Sequence, residues 1–88
     1  MNNYTYISTI VTTVIAGTAT KRVNLFGISI NKTLTGTLTV KAGATTIGTF
    51  AIGTVVGMQW YTDTGVEVQD LQLVTTANDD ITVFWKNL

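Results

Sequence analysis

The tripeptide Asp63-Thr64-Gly65 is the segment of this chain that most directly suggests a reaction, because aspartic proteases carry the same three residues at their catalytic centre. Such enzymes need two carboxylates that face each other across a two-fold axis and share a proton. Their pattern places apolar residues directly before the Asp and a small residue after the Gly, whereas this chain has Tyr61-Thr62 and Val66 there. Only 23 residues follow Gly65, although the proteases carry their Asp early in the chain. We therefore interpret the tripeptide as a turn that closes a hairpin.

Other groups that could bind or transform a ligand are few. Asn78, Asp79 and Asp80 could offer oxygen ligands to a hard cation such as calcium, but two adjacent carboxylates without further ligands are more typical of a turn before a strand. The chain has no histidine and no cysteine, which excludes imidazole or thiolate metal sites, disulfides and histidine-activated nucleophiles. The sequence therefore predicts a protein that is not an enzyme and holds no metal and no cofactor.

Aromatic residues are the remaining candidates, and they suggest binding. Trp60 and Tyr61 are adjacent and could form a platform for a sugar or an anchor at a protein interface, although core packing is the ordinary role of a tryptophan. Tyr4 and Tyr6 lie near an uncharged terminus, where an interface and a plain solvated strand are both reasonable interpretations. The candidate interface residues are Tyr4, Tyr6, Trp60, Tyr61 and Phe84.

Charge is scarce in this chain. Charged residues make up 11% of it, whereas a typical soluble domain has roughly 25%. Five Lys and Arg residues balance five Asp and Glu residues, so the formal net charge is zero. Such a surface neither repels copies of itself nor attracts polyanions, which predicts association with other proteins and no binding of nucleic acid. The alternative is a soluble monomer that its threonine hydroxyls keep solvated.

Residues 1–20 contain no charge at all. The stretch lacks a basic start, and threonine and serine interrupt its apolar positions, so we predict neither a membrane span nor a signal peptide. The small residues Ala16-Gly17-Thr18-Ala19 leave a cleavage site as an alternative to a turn. We expect residues 1–20 to form an N-terminal arm or an edge strand.

The elements that must position these residues are strands. Nineteen residues are threonine, and along 33–41 threonine alternates with apolar residues, as in a strand that buries one face. Short runs of this kind with turn signals between them predict an all-β fold, a single antiparallel β-sandwich or jelly-roll-like domain over 1–88 with seven to eight strands. The predicted strands are 5–15, 21–30, 33–41, 45–52, 55–61, 66–75 and 81–86.

Several predictions concern single positions within these strands. Leu34, Leu38 and Val40 should form the core face of the third strand, and Gly36 should admit a close neighbour. The alternation slips by one residue near Gln69-Asp70, which predicts a bulge or a sharp bend there. In the last strand Ile81, Val83 and Trp85 share one face and Thr82, Phe84 and Lys86 the other. Each face therefore carries a large aromatic side chain, and one of the two needs a cover from elsewhere.

Two segments of the chain together carry a recognisable pattern. The run 36–49 contains a Gly-Thr-Leu-Thr-Val strand and a glycine-centred hairpin, and the run 71–85 ends in an Asp-Ile-Thr-Val-Phe-Trp strand. Over residues 21–86 this pattern resembles the small β-sandwich virion proteins of tailed bacteriophages. Several members of that family are capsid decoration, or cement, proteins, and others belong to tails or fibres.

The resemblance implies a structural virion subunit. Decoration proteins clamp neighbouring capsid subunits from outside, often as trimers or dimers at symmetry axes. We therefore expect a cement subunit on the capsid surface whose partners are the major capsid protein and copies of itself. One alternative is a tail or fibre module that recognises a host-surface glycan through Trp60 and Tyr61, and another is a protease dimer that uses Asp63.

Overall fold

The computed structural model describes residues 2–15 and 20–88. Eight segments that are rich in β-branched and aromatic residues form strands in these ranges. Antiparallel pairing joins these strands into two four-stranded sheets. The strands are β1 Asn2–Ile7, β2 Thr12–Val14, β3 Arg22–Ile30, β4 Leu38–Ala42, β5 Thr45–Phe50, β6 Gly57–Gln69, β7 Leu71–Thr75 and β8 Ile81–Asn87. No helix occurs in these two described ranges, and the predicted all-β class is confirmed.

The two sheets enclose one hydrophobic core. Sheet 1 has the strand order β1-β8-β3-β6 and sheet 2 the order β2-β7-β4-β5. Both sheets contribute fully buried aliphatic side chains to that core, for example Leu25 and Val83 from sheet 1 and Leu73 from sheet 2. Burial of this apolar surface is the main source of stability, because the chain has no disulfide. The structure is thus the β-sandwich that the alternation predicts.

The prediction of one strand over 5–15 is wrong, because the chain passes from one sheet to the other between residues 7 and 12. β1 belongs to sheet 1 and β2 to sheet 2. The hydroxyl of Thr75 supports the crossing, since it donates to the Thr9 carbonyl at 2.8 Å and accepts from the Val11 amide at 3.1 Å. Threonine and β-branched residues fill both strands and the crossing alike, so composition conceals it. The predicted break at Ala16-Gly17-Thr18-Ala19 lies outside the described residues.

The predicted boundary at 62–65 is also wrong, because β6 continues through these residues. The chain instead turns from sheet 1 into sheet 2 at Asp70, which has a positive φ of 57°. The Asp70 amide donates to the Lys21 carbonyl at 3.0 Å, and its own carbonyl accepts from the Gly43 amide at 2.8 Å. The sharp bend predicted at Gln69-Asp70 is therefore confirmed.

Leu34, Leu38 and Val40 are buried as predicted, although β4 begins at Leu38 and not at Thr33. The preceding residues form a loop that packs closely on 76–77. A Cβ atom at Gly36 would lie 2.6 Å from the Thr76 hydroxyl, which confirms the expected close neighbour.

A buried carboxylate fastens this loop. Asp79 is only 2% exposed and lies just before β8. It accepts hydrogen bonds from the Thr35 amide and hydroxyl, both at 2.9 Å, and from the Gly36 amide at 3.1 Å. Burial alone would raise the pKa of Asp79. These hydrogen bonds and the positive charge of Lys32 together lower it by more than burial raises it, so the pKa lies below its ordinary value. Asp79 is thus a structural clamp, and within the described residues no three acidic side chains gather as a metal site would require.

Candidate interaction surface

Aromatic side chains form a row across the outer face of sheet 1. Tyr4 of β1 pairs with Phe84 of β8, Phe84 pairs with Gly27 of β3, and Gly27 pairs with Tyr61 of β6. Tyr4 is 72% exposed and Tyr61 69%, and Phe84 is also exposed. We call these four residues the aromatic row. Three of the five candidate interface residues thus lie in one line.

A register shift in β3 turns Gly27 toward the outer face of sheet 1. Leu25 and Ile28 are both fully buried, although strict alternation would place them on opposite faces. The register slips between Leu25 and Gly27 against both neighbouring strands. A Cβ atom at Gly27 would lie 3.1 Å from the Met58 sulfur, so the glycine makes room for that side chain. Met58 therefore lies across the middle of the row.

The row borders an open groove with a volume of about 380 Å³. Its walls are mostly apolar or aromatic, and Asp63 is the single charged side chain among the described residues that line it. The lining residues are Asn3, Phe26, Gly27, Met58, Tyr61, Thr62, Asp63, Phe84 and Trp85. We call this feature the aromatic groove.

The Asp63-Thr64-Gly65 segment lies at this groove as a bulge, so the predicted hairpin turn is wrong. Residues 62–65 stand opposite the single residue Phe26, between two regular pairs of β3 and β6. The Thr62 hydroxyl accepts a hydrogen bond from the Gly65 amide at 3.0 Å, and Gly65 has a φ of 81° that favours glycine. The bulge places one carboxylate at the groove and supplies no second one.

The Asp63 carboxylate shifts the pKa of Tyr61. A hydrogen bond to the Asp63 carboxylate and its negative charge raise the pKa of Tyr61 above 10.0. We expect Asp63→Asn to lower the pKa of Tyr61, because the amide carries no charge to disfavour the phenolate. An absorbance titration near the tyrosinate band checks this, with Asp80→Asn as the control, since Asp80 raises the pKa of Tyr6 in the same way. Identical alkaline titration curves for the wild type and Asp63→Asn would contradict the contact.

Tyr6 lies two residues from Tyr4 and therefore on the same face of β1. It pairs with Thr82, is exposed, and does not line the groove. Tyr4 and Tyr6 together form the aromatic part of the β1 edge.

Trp60 lies on the other side of β6 and does not join Tyr61. It packs against the core, and a Cβ atom at Gly48 in sheet 2 would lie 3.2 Å from its ring. Its indole nitrogen is buried without a hydrogen-bond partner among the described residues. Successive strand residues leave opposite faces, so Trp60 and Tyr61 cannot form the joint platform that their adjacency suggests. The core role weighed for Trp60 matches its position.

The structure has an exposed loop between β5 and β6, where the sequence predicts only a two-residue break at Gly53-Thr54 between the strands 45–52 and 55–61. Ile52, Val55 and Val56 are all more than half exposed there, and Ile52 reaches 68%. The loop is well anchored, since the Gly53 amide donates to the Leu34 carbonyl at 2.9 Å and the Leu34 amide to Thr54 at 3.0 Å. We call residues 51–56 the apolar loop. The available signal was the absence of any charged residue across 42–62.

Comparisons with protein-family models, curated proteins and solved structures found no match to this chain. Within the part of the chain that the structure describes, no helix has the length and hydropathy needed to cross a bilayer.

Proposed function

We propose that this chain is a structural virion subunit, a capsid decoration or cement protein that binds the outside of a phage head and stabilises it by protein-protein contacts. The observation that carries the proposal is the aromatic row beside an apolar groove on the outer face of sheet 1. Exposed apolar surface of this kind is typical of protein interfaces. The resemblance of 36–49 and 71–85 to phage virion proteins supplies the identity of the partner.

The chemistry of the surface suits contact with protein. Large aromatic side chains bury roughly 150–250 Å² each and often dominate interface energies. Strand pairing fixes the backbone of Tyr61, Phe84 and Met58, so little backbone entropy is lost when a partner covers them. With a formal net charge of zero, the chain gains little from electrostatic attraction. Binding should therefore depend on shape and apolar contact and change little with salt.

A cement protein must touch at least two neighbours, and the described part of this chain has two apolar surfaces that could do so. One is the aromatic groove on sheet 1, and the other is the apolar loop with Ile52, Val55 and Val56. The loop is pinned to the backbone of Leu34, so it is preformed for contact. The proposed partners are the major capsid protein and copies of this chain.

The alternative is a tail or fibre module that binds a host glycan. One observation favours it, namely that the Tyr61 ring and the Asp63 carboxylate line the same groove. An aromatic face with an adjacent acceptor of hydroxyl hydrogen bonds suits a sugar. A glycan array with the purified chain separates the two functions, because a cement subunit leaves the array blank and a fibre module binds selected glycans.

The proposed binding is tested by co-sedimentation of the purified chain with isolated heads. We expect retention at high salt and a loss of at least about tenfold in affinity for Tyr61→Ala, because that ring would be buried on binding. Ile47→Ala is the matched control, since Ile47 is exposed on β5 of sheet 2. Equal binding by both variants, or release of the wild type by salt, would argue against the proposal.

Tyr6→Ala tests whether the β1 edge serves assembly. Tyr6 is exposed, so its truncation should change assembly more than folding. The melting temperature of the isolated subunit should stay close to that of the wild type, while association with other protein weakens. A loss of thermal stability that matches the loss of association would show that Tyr6 acts in folding instead.

A further inference from the structure

We propose that two copies of this chain pair through β1, antiparallel and across a two-fold axis, to form one continuous eight-stranded sheet. In general, an edge strand presents to solvent amide and carbonyl groups that have no partner in its sheet. Among the described strands the edges are β1 and β6 in sheet 1 and β2 and β5 in sheet 2. These four edges differ sharply in how well they could accept a new strand.

Three of the four edges are interrupted or short. β2 has only three residues. β5 is bulged at Ile47, because the register shifts between Val40 and Lys41. β6 has irregularities at Gln59 and at 62–65 and carries the charges of Asp63 and Glu67. Bulges, charges and short length are the features that keep sheet edges from pairing.

β1 has none of these features. Its six residues pair with β8 in unbroken register, from Asn2 opposite Lys86 to Ile7 opposite Ile81. The strand contains no charge, no proline and no glycine. Among the described strands it is therefore the one edge that is regular along its length and carries no charge.

A second copy is the partner that this edge fits, because antiparallel pairing of a strand with itself is self-complementary about a two-fold axis. Residues opposite each other in such a pair lie on the same face of the sheet. An axis through Thr5 keeps the two outer faces together and places Tyr4 opposite the partner's Tyr6, twice. Cross-strand aromatic pairs stabilise sheets, so this register covers both exposed rings.

This pairing adds a detail to the proposed function, namely how copies of the chain contact each other. Only the role of the dimer at a capsid rests on that proposed function. Both aromatic grooves would lie on the same side of the eight-stranded sheet, so a single dimer would present two binding sites to a shell. Two linked sites bind more tightly than one. Dimerisation itself depends on β1 alone and is measurable without any capsid.

The test uses charge substitutions at two exposed positions, followed by sedimentation velocity over a wide concentration range. The double variant Tyr4→Lys with Tyr6→Lys would place like charges opposite each other and should be monomeric. The variant Tyr4→Lys with Tyr6→Glu would place opposite charges face to face and should recover the dimer. Recovery is specific to the Thr5-centred register, because an axis through Tyr4 would bring two introduced lysines together.

Tyr61→Lys is the control at the other edge of sheet 1, and it should remain dimeric while its binding to heads is lost. The double-lysine variant should keep the far-UV circular dichroism spectrum of the wild type and unfold cooperatively on heating, which shows that its monomeric state reflects the edge and not a loss of fold. The inference is overturned by a monomeric wild type, by a trimer, by dimers in all variants alike, or by failure of the lysine-glutamate variant to dimerise. A monomer that still binds heads would overturn the pairing alone, and a dimer that binds none would overturn the proposed function alone.

Discussion

Replacing Asp79 with alanine should lower the free energy of unfolding by about 3 to 5 kcal/mol, because three donors lose their acceptor, one in a buried place and two in a partly buried one. Each such loss typically costs about 1–3 kcal/mol. The donors are the Thr35 amide and hydroxyl and the Gly36 amide. A domain of this size has a total stability of roughly 5–10 kcal/mol. Urea denaturation followed by far-UV circular dichroism measures the change.

Asp80→Ala is the matched control for this prediction. Asp80 is the next residue, and its carboxylate accepts a hydrogen bond from the Asn31 side-chain amide at 3.2 Å in an exposed place. Its removal should cost less than about 1 kcal/mol. Equal effects of the two substitutions would contradict the clamp role of Asp79.

Acid should remove the same stabilisation. The pKa of Asp79 in the folded protein lies below the ordinary value of 3.8, so the unfolded chain takes up the proton first as pH falls. The contribution is therefore complete above pH 3.8 and is lost as pH falls through the lower, folded-state pKa. In Asp79→Asn this part of the acid dependence should disappear. An unchanged pH profile for that variant would show that another carboxylate controls acid unfolding.

Leu38→Ala should cost about 2 to 5 kcal/mol, the usual range for a buried leucine. Leu38 is fully buried in β4, which lies between β5 and β7, so the sandwich cannot easily collapse into the space that the side chain leaves. Ile52→Ala is the control, because it removes a similar side chain from the exposed apolar loop and should change stability by less than about 0.5 kcal/mol. An unchanged melting temperature for Leu38→Ala would mean that β4 faces the core with its other side.

The fold class and much of the core follow from the sequence, because burial on one face of a strand leaves a two-residue period. That period correctly assigned Leu34, Leu38 and Val40, and it separated Val83 on the core side of β8 from Phe84 outside. A break in the period also located the bend at Asp70.

The two-residue period could not predict features that depend on which distant strands pair with each other. The crossing between β1 and β2 has the composition of a strand, and the bulge at 62–65 exists because Phe26 stands alone opposite four residues. An Asp-Thr-Gly segment favours a turn when it is judged locally. Only the partner strand shows that the chain continues through it.

The candidate surface was likewise predictable in its single residues but not in their arrangement. Tyr4, Tyr61 and Phe84 were predicted individually from residue type, but their alignment depends on how three strand pairs meet at Gly27. Met58 was missed because methionine is ordinarily a core residue. The full extent of the apolar loop was missed because Val55 and Val56 have the composition of a strand.

The protein inventory of gradient-purified virus particles, from cultures that express the chain from its natural locus, tests the central claim most directly. We predict that mass spectrometry finds the chain in those particles together with the shell protein, in a fixed ratio to it that persists through a high-salt wash. A chain that stays in the soluble fraction while the particles lack it would contradict the proposed role in the virion.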